Sequence, residues 1–155
     1  MAAFWPLFAA TIATDLVTKR IAEGQLPLHV PRDVAGAWIR LTLTYNPGAA
    51  MNLSLGGASR VVFTVVASLM LLVVFRMYRR TAHHDGGQAA ALALIAAGAL
   101  GNLIDRLRSA RGVVDFIDVG VGDWRFWTFN VADMGVTIGA LLLALVLWRR
   151  PATPK

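Results

Sequence analysis

The chain contains no cysteine. Disulfides, thiolate metal sites and a cysteine nucleophile are therefore excluded, although the cellular compartment is not set by that alone. Charge is scarce too. Only 15% of the 155 residues are Asp, Glu, Lys or Arg, against about 25% in typical soluble chains. Lysine is nearly missing, with 2 residues beside 13 arginines, and the formal net charge is +6. A basic balance first suggests nucleic acid. Most of these cations, however, stand at the ends of apolar segments, where positive charge sets membrane topology, so no nucleic-acid partner is expected. There is also no internal repeat, no low-complexity segment and no soluble second domain, and residues 1–155 read as a single integral membrane domain.

What the chain has is apolar residues, 57% of the total, gathered in blocks. About 20 apolar residues cross a bilayer as helix, with a range of about 17–25. Four segments qualify: Ala3–Ile21, Val61–Tyr78, Gln88–Ile104 and Val131–Trp148. The first carries Asp15 and Lys19 and no A-x-A pattern follows it, so it is read as a retained span and not a signal peptide. Arg76, Arg79 and Arg80 after the second span, and Arg149, Arg150 and Lys155 at the end, place both termini in the cytoplasm. The links 22–60 and 106–130 then lie outside, although the second, with Arg106, Arg108, Arg111 and Arg125, runs against the rule. This topology brings Asp15, Lys19, Asn102, Asp105 and Asp133 to one membrane face.

The outer links carry structure of their own. "WIRLTLTYN" alternates, with Ile39, Leu41, Leu43 and Tyr45 on one side, and predicts a strand. "VVDFIDV" and "WRFWTF" also read as strands, while Trp38, Trp124 and Trp127 suit a membrane–water interface. The fold expected is a mainly α membrane protein with four transmembrane helices and a small extracytoplasmic β-sheet.

Polar groups at such a level are costly and face a partner or a water-filled cavity. Asp15 and Lys19 in "DLVTK" share a helix face at i, i+4 and can pair; the plainer reading is an interface anchor. "NPGAAMN" is a turn signal whose Gly48, Ala49 and Ala50 permit close backbone approach, and Asn46 both donates and accepts. Asp115 in "VVDF" and Asp133 in "FNVAD" lie 18 residues apart, enough for a β return to bring them together. Taken singly they are a strand polar residue and a helix-start acid. As a pair they allow one carboxylate to activate water while a protonated partner donates its proton to the leaving nitrogen. That is aspartic protease chemistry, with no cofactor and no metal. His83 and His84 are adjacent in an inner loop and His29 is remote, so zinc spacing is absent. A Ser/Lys arrangement of Ser54 or Ser59 with Lys19 is conceivable but has no local motif.

With "DLVTK", "NPGAAMN", "GNLIDR", "VVDF" and "FNVAD" in this order on four spans, nearly the whole chain resembles bacterial lipoprotein signal peptidases (signal peptidase II). The resemblance implies an inner-membrane aspartic endopeptidase that removes signal peptides from prolipoproteins whose cysteine already bears diacylglycerol. By motif match Asp115 and Asp133 are the catalytic pair. Asn46, Gly48, Asn102, Arg106 and Asn130 fall at substrate-binding positions, and Asp15, Lys19, Gly101 and Asp105 at supporting ones. Partners are then lipid-modified prolipoproteins and membrane lipids, with the protein a monomer and its site at the outer face. Departures from the family pattern are Leu16, Met51, Met134 and Asp118; Asp118, three residues beyond Asp115, points to the other strand face and is not counted as catalytic. The rival is a small proton-coupled transporter or channel subunit, which would spread its ionisable residues through the membrane depth.

Overall fold

A computed structural model of the chain describes residues 3–48 and 58–149. Ala49, Ala50, Met51, Asn52 and Ser54 of the expected turn and loop, and Arg150 and Lys155 of the basic tail, lie outside the described residues. Among those described, four long helices carry a four-stranded antiparallel sheet: α1 (Phe4–Gln25), β1 (Arg32–Ala35), β2 (Ile39–Asn46), α2 (Ser59–Arg80), α3 (Gly86–Arg108), β3 (Val113–Val121), β4 (Trp124–Arg125) and α4 (Val131–Trp148).

Local chemistry sets the helix ends. Pro6 sits in the first turn of α1, where a missing N–H removes no helical bond. Pro27 drives Leu26 to extended backbone, φ −106° and ψ 130°, and the helix stops there. α2 ends on Arg79 and Arg80, cations that suit a helix C-terminus. Asp85 caps α3 by accepting from the Gln88 N–H at 2.9 Å. Asn130 opens α4 through a reciprocal capping box with Asp133.

Burial is inverted relative to a soluble bundle. Val61, Val65, Leu69, Leu72 and Phe75 of α2 are exposed, as are Ile138, Leu141 and Leu145 of α4. The buried helix is α3, which packs against all three others through small residues. Ala89, Ala91, Ala93 and Ala97 are fully inaccessible. A Cβ on Gly139 would lie 2.8 Å from the Ala91 carbonyl oxygen, and one on Gly98 would collide with that of Ala132. Such contact between helix backbones is the packing available where lipid removes the hydrophobic drive for association.

Three helices, α2, α3 and α4, are long and apolar enough to cross a membrane. This corrects the expectation of four by composition. α1 is long enough with 22 residues, but Asp15, Lys19, Arg20 and Glu23 interrupt its apolar run. Asp15 and Lys19 are fully buried, so their charge is turned inward to α3 and α4 and away from the surroundings.

The sheet has the order β1-β2-β3-β4 and covers the end of the bundle where α1 and α3 finish. Leu43, Val114 and Phe116 pack on Ala22 and Leu26, forming a small core beneath it. β2 matches its expected alternation at Leu43, and pairs Thr44 with Asp115 and Asn46 with Val113. β1 was not expected; it is a fully exposed edge, and Asp33 faces Arg40 across the ladder at 2.9 Å. The strand expected over "WRFWTF" is only two residues long, and pairing resumes where Phe129 and Ile117 exchange hydrogen bonds at 2.8 and 3.0 Å.

Gly98→Ala is expected to lower stability by about 1–3 kcal/mol through overpacking, read by thermal unfolding in detergent. Gly24→Ala, with open space around the new methyl, should cause no loss.

Candidate active site

Asp115 lies in mid-β3 and Asp133 in the first turn of α4, and both line one cavity of about 790 Å³. One asparagine joins them. The Asn130 Nδ2 donates to Asp115 Oδ1 at 2.7 Å, its Oδ1 accepts from the Asp133 N–H at 2.9 Å, and its own backbone N–H donates to Asp133 Oδ2 at 3.2 Å. The residue that starts the last helix therefore also sets the spacing of the two acids. Asn102, from α3, donates its Nδ2 to the other oxygen of Asp133 at 2.8 Å.

A second layer lies beneath. The Lys19 ammonium is 1% exposed and has Asp15 Oδ2 and Asp105 Oδ2 at 2.8 Å and Asn102 Oδ1 at 2.9 Å. The Asp15 Oδ2 contact is a charge pair without hydrogen-bond alignment. The remaining oxygens of the two acids are also held, since Asp15 Oδ1 accepts from the Ala132 N–H at 2.8 Å and Asp105 Oδ1 from Arg108 Nε at 2.8 Å. Asp105 Oδ2 further accepts from the Val114 N–H at 3.2 Å. Lys19 is so enclosed that it has no open side from which to act as a base for a serine.

The cavity residues expected from sequence fall into two groups. Asn46, Asn102 and Arg106 line it with the two aspartates, whereas Asn130 is fully buried behind them. Arg106 donates to the Asn102 carbonyl at 3.1 Å and reaches the Gly48 carbonyl at 3.4 Å, and its Nε has no partner among the described residues. Gly48 thus adjoins the cavity through its backbone. Gly101 packs away from the cavity, where any Cβ would collide with Asp15 Oδ2. Asp118 is elsewhere, bound to Arg125 Nε at 2.9 Å and to the Thr42 hydroxyl at 3.2 Å. Among the described residues no three His, Cys, Asp or Glu side chains are grouped as metal ligands.

Several cavity residues were not anticipated. Phe63, Ala67 and Met70 of α2 form one wall, and sequence offered no signal to tell them from lipid-facing neighbours. Phe126 and Phe129 stand with Trp127 on another, Trp127 having been read only as an interface residue. His29 lines the rim in a left-handed conformation, φ 59°.

Burial pushes the Asp115 carboxyl up to about 7, and the neighbouring Asp133 adds to this; hydrogen bonds from Asn130 and Asn46 and the Lys19 charge oppose it. Asp115 can therefore hold a proton near neutral pH. Asp133, whose oxygens both accept N–H bonds, stands beside it as an acceptor.

Residues 7–149 match the family described as signal peptidase (SPase) II. The chain belongs to the signal peptidase II family. It is 38% identical to the lipoprotein signal peptidase of Ectopseudomonas mendocina over 97% of this chain and 91% of that protein. With the lipoprotein signal peptidase of Hydrogenovibrio crunogenus the identity is 37% over 93% of this chain and 84% of that protein. A bacterial membrane enzyme solved by the in meso method at 2.3 Å resolution superimposes with a TM-score of 0.87 at 28% identity, covering 100% of this chain and 96% of that one. As a signal peptidase II, the chain is a membrane protease. The transporter or channel expectation has no support, and the buried carboxylates gather at one end of the bundle.

The raised Asp115 value has a thermodynamic consequence. A carboxyl with a folded value near 7 and an ordinary value of 3.8 favours the fold fully below about 3.8 and loses that contribution as pH rises through about 7. Asp115→Asn should therefore be more resistant to heat than the unaltered protein at pH 8, with the advantage shrinking towards pH 4. Thermal unfolding across that range checks it.

Proposed function

We propose that this protein is an aspartic endopeptidase of the bacterial inner membrane that removes signal peptides from diacylglyceryl-modified prolipoproteins. The observation that carries this reading is the bridge through Asn130, which holds Asp115 and Asp133 on one cavity. Asp133 takes a proton from water as the oxygen attacks the scissile carbonyl. Asp115, protonated by virtue of its raised value, gives its proton to the leaving nitrogen as the C–N bond breaks. Asn46, Asn102 and Arg106 supply polar contacts to the substrate backbone along the cavity, and Gly48 admits it closely. Lys19, Asp15, Asp105 and Gly101 support the pair from below.

The substrate class follows from the family and from the setting. An apolar signal helix fits beside α2, whose Phe63, Ala67 and Met70 wall the cavity, and the lipid chains of the modified cysteine extend into the bilayer. Although α1 falls short by composition, we read it as a further span, its buried Asp15 and Lys19 being satisfied within the bundle as lipid requires. Arg76, Arg79, Arg80 and Arg149 at the other end favour termini in the cytoplasm and a site at the outer face. In this reading the protein acts as a monomer.

Asp115→Asn and Asp133→Asn should each reduce cleavage of a diacylglyceryl-modified precursor by about 10³-fold or more while the protein still accumulates in the membrane. The purified enzyme should cut the modified precursor with chelator present and leave an unmodified precursor intact. Full activity in either variant would overturn the aspartate pair. Loss of activity in chelator would overturn the metal-free mechanism, and equal cleavage of the unmodified precursor would overturn the substrate class.

A further inference from the structure

We propose that Lys19 is a positioning residue for the aspartate pair, acting through the side-chain amide of Asn102. The inference rests on the aspartic reading above and adds how the pair is held. The two ends of an amide are chemically different, and each end of Asn102 is spoken for. Its Oδ1 accepts from Lys19 Nζ at 2.9 Å and from Asn130 Nδ2 at 3.2 Å, which leaves Nδ2 to donate to Asp133 Oδ1 at 2.8 Å. Flipped, the amide would turn its NH₂ towards an ammonium and a second NH₂, and its carbonyl towards a carboxylate. The buried charge of Lys19 excludes that orientation.

The same ammonium is tied to the backbone on either side of the pair. Asp15, its first carboxylate partner, holds the N–H of Ala132, which precedes Asp133. Asp105, its second, holds the N–H of Val114, which precedes Asp115. One cation thus references both aspartates through three separate routes, and touches neither.

The test is steady-state cleavage by purified, folded enzyme. Lys19→Met should lower kcat on the order of 10²-fold, as small misplacement of reacting groups does, with KM within about twofold. Added to Asn102→Ala, it should lower kcat by clearly less than it does in the unaltered enzyme, because one of its three routes is already cut. Lys19→Met leaves the buried Asp15 carboxylate without a cation, whereas Asp105 keeps Arg108, so the comparison is repeated as Asp15→Asn/Lys19→Met against Asp15→Asn, where charge is removed in a pair. The same drop in kcat is expected. A purely structural Lys19 would lower thermal stability and leave kcat per folded enzyme unchanged, and that result, or multiplying effects with Asn102→Ala, overturns the inference. Asp115→Asn is assayed alongside. Activity there would overturn the aspartic reading, whereas an inactive Asp115→Asn beside an undiminished Lys19→Met overturns the positioning role alone.

Discussion

A charge sealed inside a bundle of apolar helices must carry its partners with it, and much of this structure follows from meeting that demand for Lys19. Lys19 is almost wholly buried, and an unpaired ammonium there is costly. Asp15 one turn earlier and Asp105 from α3 enclose it, and each of these carboxylates also accepts from the backbone just before a cavity aspartate, Asp15 through its other oxygen and Asp105 through the same one. Satisfying one cation therefore locks α1, α3, β3 and α4 into a single relation. The small residues of α3 serve the same end, since Gly101 leaves room for the Asp15 carboxylate that a methyl would displace.

Reactivity grows out of this stiffness. Burial raises Asp115 towards neutrality, and Asn130 keeps Asp133 at a set place beside it. The cavity in front is mostly apolar on the α2 side and polar around the acids, as suits a substrate that is largely a greasy helix with one peptide bond to be cut. At neutral pH the raised Asp115 value costs the fold stability, and the proposed proton transfer is what that cost would serve.

Much of this could be read in the residues alone, and the limits have physical causes. The helices announced themselves because a membrane demands long apolar runs, and their ends at Pro27, Asp85 and Asn130 carry clear stop and start chemistry. α1 was the ambiguous one, because burial of Asp15 and Lys19 is a tertiary fact that composition cannot weigh. The pairing of Asp115 with Asp133 was legible from their spacing and motifs, but the Asn130 bridge between them required coordinates. The α2 wall was invisible, since Phe63 or Met70 facing a cavity looks the same in sequence as Leu69 or Leu72 facing lipid. β1 was missed because an exposed edge strand needs no alternation of apolar residues.

Asn130 and Asp133 stand at the start of α4, whereas Asp15, Lys19, Asn46, Asn102, Asp105, Arg106 and Asp115 precede it. During synthesis the ribosome has therefore delivered Asp15, Lys19, Asn46, Asn102 and Asp115 before the second acid exists. A chain stopped short of Asp133 holds only one member of the proposed pair. The first turn of the last helix therefore supplies both the second acid of the proposed pair and the asparagine that sets its distance from the first.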